Sequence, residues 1–316
     1  MRVVRGSENV GDPLVGSALT VGNFDGLHLG HRAIMETVIG RARALGGPAV
    51  VYTFEPHPRK VLRPDQAPRL LTTLEQKLEL LEAQGVDVVI VEPFTREFAQ
   101  LPAERFVRGI LHERIRPREV YVGYDFHYGR DREGSMRTLT ELGPRLGFAV
   151  TIIPEVTVRD QDVNSTRIRG LLEEGKVEDA ALLLDRPYAA RGRVAVGDQR
   201  GRSIGFPTLN LDSESEILPA SGVYAGHVSF LDEGEPVSGS VFLSVMNVGR
   251  RPTFKDDDPV LAEAHVLDFD ADAYGRRIEL SFEHFLRGEE KFPDADALKA
   301  QIGRDVELAR ERLGEG

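Results

Sequence analysis

Along the first half of the chain, short apolar runs alternate with segments of helical spacing at intervals near thirty residues. The runs are Val15–Val21, Pro48–Phe54, Val86–Val91, Glu119–Val122 and Phe148–Ile153. Between them, His31–Leu45, Leu74–Gln84, Pro102–Ile115 and Leu139–Leu146 repeat apolar residues at helical intervals. Strands alternating with helices predict βαβ units and a parallel, doubly wound sheet. The near-continuous apolar run Val86-Asp-Val-Val-Ile-Val suits a strand covered on both faces. Two more helices are expected at Thr166–Glu174 and Val177–Asp185, and then the period changes.

After Arg186-Pro187 the apolar runs shorten and turn residues separate them. Tyr188–Val196, Phe206–Leu211, Val223–Phe230, Val237–Val245, Ala262–Phe269 and Arg276–Phe282 predict six strands of an antiparallel barrel or sandwich. Ala295–Leu313 returns to helical spacing and is expected to pack against them. The expected fold is therefore α/β followed by all-β, with domains at 1–186 and 187–316. The 316-residue length agrees with two domains.

Charge separates the halves as well. Residues 187–316 carry a net −9 and residues 1–186 a net −2, out of −11 for the whole. Such acidity argues against nucleic acid or an anionic membrane as partner, since both need a basic footprint. No apolar stretch reaches the ~18 residues that span a bilayer, and the amino terminus shows no secretory signal. With no cysteine, disulfides, thiolate catalysis and Cys-based metal sites are excluded. A cytoplasmic protein is the simplest expectation.

Two stretches carry candidate chemistry. Val21-Gly-Asn-Phe-Asp-Gly-Leu-His-Leu-Gly-His31 falls where the first strand gives way to the first helix. Gly22, Gly26 and Gly30 allow close approach of backbone to a ligand, and a helix start offers N–H groups and a positive dipole end to an anion. His28 and His31 share a face of one turn, from which two imidazoles can hydrogen-bond a phosphate in transfer. In the second half stands Gly201-Arg-Ser-Ile-Gly-Phe-Pro-Thr-Leu-Asn210. Thr208 and Asn210 point to one side of a strand, and their oxygens are hard ligands suited to Mg²⁺ carrying nucleotide phosphates. The lead-in from Gly197 to Gly205 could form a flap, but it is no Walker loop, because Gly-Lys-Ser/Thr is absent. Asp256-Asp-Asp258 reads as a solvated loop, since consecutive carboxylates repel.

The first string resembles the H-x-G-H signature of nucleotidylyltransferases, in the form found in bacterial FAD synthetases. Thr53-Phe-Glu-Pro-His-Pro58 and Gly123-Tyr-Asp-Phe-His-Tyr-Gly129 are similar to two further motifs of that family. Asp162-Val-Asn-Ser-Thr-Arg-Ile-Arg169 departs from the family's Arg-Ile-Ser-Ser-Thr-x-Ile-Arg: Ser165, Thr166 and Arg169 fit, whereas Asp162 replaces a base and Asn164 a serine. In the second half, Gly205-Phe206-Pro207-Thr208-Leu-Asn210 looks like the riboflavin kinase signature. Leu218–Ala225, Asn247–Phe254, Glu263–Asp270, Tyr274–Arg277 and Phe285–Phe292 resemble later motifs of that family, in its order. Nearly the whole chain is thus similar to the bifunctional riboflavin kinase/FAD synthetase family.

That resemblance implies a nucleotidylyltransferase domain followed by a six-stranded barrel kinase domain with a carboxy-terminal helix. It implies His28 and His31 as catalytic groups of adenylyl transfer and Glu263 as general base of the kinase. For the adenylyltransferase it implies ATP at Gly22, Asn23, Phe24, Asp25, Gly26, Asp125, Ser165, Thr166 and Arg169. Flavin is placed at Phe54, Pro56, His57, Pro58, Phe126 and Tyr128. For the kinase it implies ATP at Gly201, Arg202, Gly205, Phe206, Pro207, Thr208 and Asn210, with Mg²⁺ on the last two oxygen donors. Riboflavin, FMN and ATP are the implied substrates, and apo-flavoproteins the recipients of FAD. Asp162 keeps open a kinase whose adenylyltransferase module has decayed, and a flavin-binding regulator without catalysis is the other alternative.

Overall fold

The computed structural model describes residues 1–196, 205–232, 240–250 and 260–314. The chain falls into two compact units. One comprises Met1–Arg69 and Leu74–Asn164, the other Leu70–Thr73 and Ser165–Gly316.

The first unit is built on six parallel strands: β1 (Arg2–Arg5), β2 (Ala18–Val21), β3 (Ala49–Glu55), β4 (Val88–Pro93), β5 (Glu119–Gly123) and β6 (Ala149–Ile153). Their order across the sheet is β1-β4-β3-β2-β5-β6. The doubly wound sheet is as expected, with one strand more than the apolar runs predicted. That strand is β1, whose Arg-Val-Val-Arg sequence buries only Val4. Central strands are Val/Ile-rich and covered on both faces: Leu19, Val50, Val51, Val89 and Ile90 are fully buried. Helices α1 (Leu29–Leu45), α2 (Leu74–Gln84) and α3 (Met136–Arg145) supply much of the cover. The expected helix at Pro102–Ile115 is a short α-turn at Ala103–Arg105 running into a π-helix at Phe106–Ile115. From β2 the chain builds the sheet outward through β3 and β4, then resumes on β2's other side with β5. The switch point lies between β2 and β5, where open α/β sheets bind ligands beyond the carboxyl ends of their strands.

The second unit opens with two helices, α4 (Ser165–Glu173) and α5 (Val177–Leu184). A closed antiparallel barrel follows: β7 (Tyr188–Ala195), β8 (Leu209–Ser213), β9 (Gly222–Phe230), β10 (Val241–Arg250), β11 (Val260–Val266) and β12 (Arg277–Arg287). The order is β7-β8-β11-β10-β9-β12, with β12 returning to β7, so no strand edge is left open. Side chains alternate in and out. Ala262, Ala264 and Val266 of β11 are buried, while Leu261, Glu263 and His265 are half-buried on the outer side. The helix α6 (Ala295–Leu313), capped by Asp294, packs Ala309 against Val223, Ala225 and Val245.

Strand β9 bends where its register against β12 shifts between Ala225 and Gly226. A Cβ at Gly226 would stand 1.8 Å from the Ser281 carbonyl oxygen, a backbone atom that cannot turn aside. Gly226→Ala is therefore expected to destabilise the barrel by about 1–3 kcal/mol or more, the usual cost of overpacking. The urea midpoint of the barrel, followed by amide protection in β9 and β12, measures it.

Candidate active sites on the two units

All three amino-terminal motifs follow the carboxyl ends of strands β2, β3 and β5. The loop from β2 into α1 is tightly wound, with Phe24, Gly26 and Leu27 all at positive φ (49°, 80° and 40°). Only glycine takes that region without strain, so the other two must be held by their surroundings. Phe24 and Leu27 are both 2% exposed and pack with Met35 of α1 and Leu81 of α2. A Cβ on Gly22 would meet the Phe24 ring at 2.8 Å, and one on Gly30 would press His28 Nδ1 at 3.2 Å and the Val163 carbonyl at 3.4 Å. The glycines therefore provide room for the aromatic ring and the imidazole. Asn23 is exposed beside them, and its carbonyl accepts a 3.3 Å hydrogen bond from the Thr53 hydroxyl.

His28 caps α1 and His31 lies in its first turn; their rings stack at 3.6 Å, and Phe24 meets His31 edge-on at 5.2 Å. His31 Nδ1 is buried without a hydrogen-bond partner among the described residues. Burial pushes the His31 pKa well below its ordinary value, and nearby His28 and Lys77 push it the same way. Lys77 of α2 is a member of this site that the sequence reading missed. Its side chain is 5% exposed; burial lowers its pKa, with Asp25 and Glu55 opposing the shift. On sequence alone Lys77 is one polar position in an amphipathic helix, and only tertiary packing turns it inward.

The lowered His31 pKa has a sign that can be tested. Between the native value and about 6.5, the unfolded chain binds a proton that the folded chain refuses, so stability falls as pH falls. The slope for one such proton is at most about 1.4 kcal/mol per pH unit. His31→Gln should flatten this slope for the first unit, read from amide protection in β2 and α1 across pH 5 to 7.

The flavin-motif residues lie in one aromatic chain. Phe54 meets Tyr52 at 5.4 Å and Phe94 at 5.6 Å; Tyr52 meets Phe106 at 5.8 Å, and Phe106 meets Tyr128 at 5.5 Å. Phe126 stacks on Tyr128 at 5.5 Å, with planes 18° apart. Pro56 follows a cis bond, and His57 caps the short helix beginning at Pro58, accepting the Arg59 N–H at 3.2 Å. Asp125 is exposed. The Tyr124 phenol beside it is pushed up by burial, then by Glu155, Asp125 and Asp162, so Asp162 adds negative charge near this motif. Ser165 and Thr166 open α4, with Arg169 one turn on, in the second unit.

In the barrel, Gly201 and Arg202, the rest of the flap to residue 204, and Asp256–Asp258 lie outside the described residues. Gly205, Phe206, Pro207 and Thr208 lead into β8. His265 Nδ1–H donates to the Pro207 carbonyl at 2.9 Å, and its ring meets Phe206 edge-on at 5.2 Å, anchoring this lead-in. Asn210 is directly opposite Glu263 of β11 in the register. Asn210 and Glu263 thus bring an amide and a carboxylate to one strand pair, with the Thr208 hydroxyl at the residue just before β8. This hard-oxygen set suits an Mg²⁺ that keeps phosphate and water ligands. No cluster of three or more His, Asp or Glu able to hold a metal alone occurs among the described residues.

Comparison with known proteins bears on both units. The family model for FAD synthetase matches residues 13–167, and that for riboflavin kinase matches residues 184–313. The bifunctional riboflavin kinase/FMN adenylyltransferase of Escherichia coli strain K12 is 39% identical over 99% of this chain and 98% of its own length. The Haemophilus influenzae protein of the same description is 38% identical over 98% of both chains. A crystal structure described as a macrolide-efflux protein from Streptococcus pneumoniae superposes with a TM-score of 0.87 at 28% identity, covering 98% of this chain and 99% of that one. Among the described residues no helix is long and apolar enough to cross a membrane. By its full-length identity to these relatives and its two family matches, the chain belongs to the bifunctional riboflavin kinase/FMN adenylyltransferase family.

Proposed function

We propose that the protein makes FAD from riboflavin in two ATP-dependent steps, with residues 187–316 phosphorylating riboflavin and residues 1–186 adenylylating FMN. The supporting observation is that one chain matches both family models and each unit keeps its own polar set: the stacked His28–His31 pair in one, Asn210 opposite Glu263 in the other.

In the kinase step, Glu263 orients the ribityl 5′-hydroxyl and accepts its proton as the oxygen attacks the γ-phosphorus; the bond to ADP breaks. Thr208 and Asn210 would hold an Mg²⁺ ion, which when bound would neutralise charge on the ATP phosphates. In the second step an FMN phosphate oxygen attacks the α-phosphorus of ATP, and pyrophosphate leaves. His28 and His31, with the open N–H groups at the start of α1, hydrogen-bond the charge that gathers on the phosphates. Gly22, Asn23, Phe24, Asp25, Gly26, Asp125, Ser165, Thr166 and Arg169 hold this ATP. Phe54, Pro56, His57, Pro58, Phe126 and Tyr128 face the flavin. Gly201, Arg202, Gly205, Phe206 and Pro207, with Thr208 and Asn210, bind the kinase nucleotide. FAD then passes to apo-flavoproteins in the cytoplasm.

The test is a time course of flavins, separated chromatographically after mixing the full chain with riboflavin, ATP and Mg²⁺. FMN followed by FAD is expected. FMN alone, even with FMN and ATP in excess, would instead favour a kinase with a decayed first module, the reading that the Asp162 charge near Tyr124 supports. Flavin binding without turnover would leave a regulator.

A further inference from the structure

Strand β10 brings Asn247 directly opposite Glu263, on the side away from Asn210. Glu263 is thus the middle residue of a row of three, an amide on either hand. Opposed residues of antiparallel strands carry their Cβ atoms about 4.5–5.5 Å apart on the same face. Both neighbours of Asn247 in sequence, Met246 and Val248, are fully buried, and Asn247 itself is exposed on the outer side that Glu263 also takes.

Beyond Asn247 the row continues to Val223 of β9 and Arg287 of β12. There α6 covers it: Val223 packs in the cluster with Ala309, and Arg287 grips Asp305 through bonds of 2.7 and 3.0 Å. A polar side chain is therefore left open between a helix-covered surface and the proposed general base. Amides both donate and accept, matching a hydroxyl, and they carry no charge to disturb a neighbouring carboxylate.

We infer that Asn247 is a substrate-contacting residue of the kinase step, its amide hydrogen-bonding the ribityl hydroxyl next to the one that Glu263 deprotonates. The inference rests on the reading of Glu263 as the base. Neither side chain substitutes for the other: Glu263 takes the proton, and Asn247 fixes the rotation of the sugar chain so that the 5′-oxygen faces both Glu263 and the γ-phosphorus.

The experiment compares riboflavin with 4′-deoxyriboflavin as kinase substrates, in the full chain and in Asn247→Ala. The urea midpoint of the barrel serves as the control that each preparation is folded. A site built to bond a hydroxyl discriminates against the analogue lacking it. The unchanged chain should therefore favour riboflavin by at least about ten-fold in kcat/KM, and Asn247→Ala should lose most of that preference together with a similar factor in kcat/KM for riboflavin. Asn247→Ala that keeps the full preference, whether or not its overall rate falls, overturns the inference. Failure of the underlying reading looks different: Glu263→Gln would then phosphorylate riboflavin normally.

Discussion

Replacing His28 by alanine is expected to lower FAD formation from FMN and ATP by about a hundred- to a thousand-fold, the usual loss when one preorganised donor to a developing anion is removed. FMN formation from riboflavin by the same preparation should be unchanged. The imidazole is 5% exposed and stacks at 3.6 Å on His31 at the start of α1, so its removal takes away both a donor and half of the stack. Because alanine also leaves a hole, His28→Asn is the useful companion: it keeps much of the volume and a polar end, but not the imidazole. Both variants should retain kinase activity, since the barrel is a separate compact unit with its own core. An equal fall in FMN formation would show that the two activities are not divided between the units as proposed.

The second large effect is the converse. Glu263→Gln should reduce riboflavin phosphorylation by about a hundred- to ten-thousand-fold, the range for losing a positioned general base, while adenylylation of added FMN continues. Glutamine preserves shape and hydrogen bonding on the outer face of β11, and the alternation of Ala262 and Ala264 into the barrel is untouched. A drop in kcat at unchanged riboflavin KM would mark lost proton transfer rather than lost binding. Retained activity would remove Glu263 from the mechanism.

Much of this architecture can be read from the sequence because period and burial agree. Four of the five apolar runs of the first half become inner strands, the fifth becomes the edge strand β6, and the six runs after Pro187 close into the barrel. What escaped has identifiable causes. Strand β1 is four residues with arginine at both ends, an exposed edge whose pairing with β4 comes from the sheet rather than from its own composition. The π-helix at Phe106–Ile115 carries the apolar residues of an ordinary helix, and periodicity over ten residues does not separate the two. The motifs indicated His28 and His31 but not Lys77, whose burial depends on α2 packing beside the loop at Phe24 and Leu27. Likewise Asn247 stood inside a quoted motif without a role, and only the strand register places it beside Glu263.

That register has a consequence for how the barrel can change over time. Asn210, Glu263 and Asn247 align because three neighbouring strands agree on a single count of residues. Inserting or deleting one residue within β11 would turn Ala262 or Ala264 outward and drive the Glu263 charge into the apolar lumen. No partial version of that move exists, so length variation inside β8, β10 or β11 should be nearly absent in functional descendants. Gains and losses of residues should collect in the segment between Phe230, the end of β9, and Val241, the start of β10, where they leave the row's register unaltered. A library of single-codon insertions across the barrel, selected for FMN formation, would show this as intolerant strands and a permissive connection between β9 and β10.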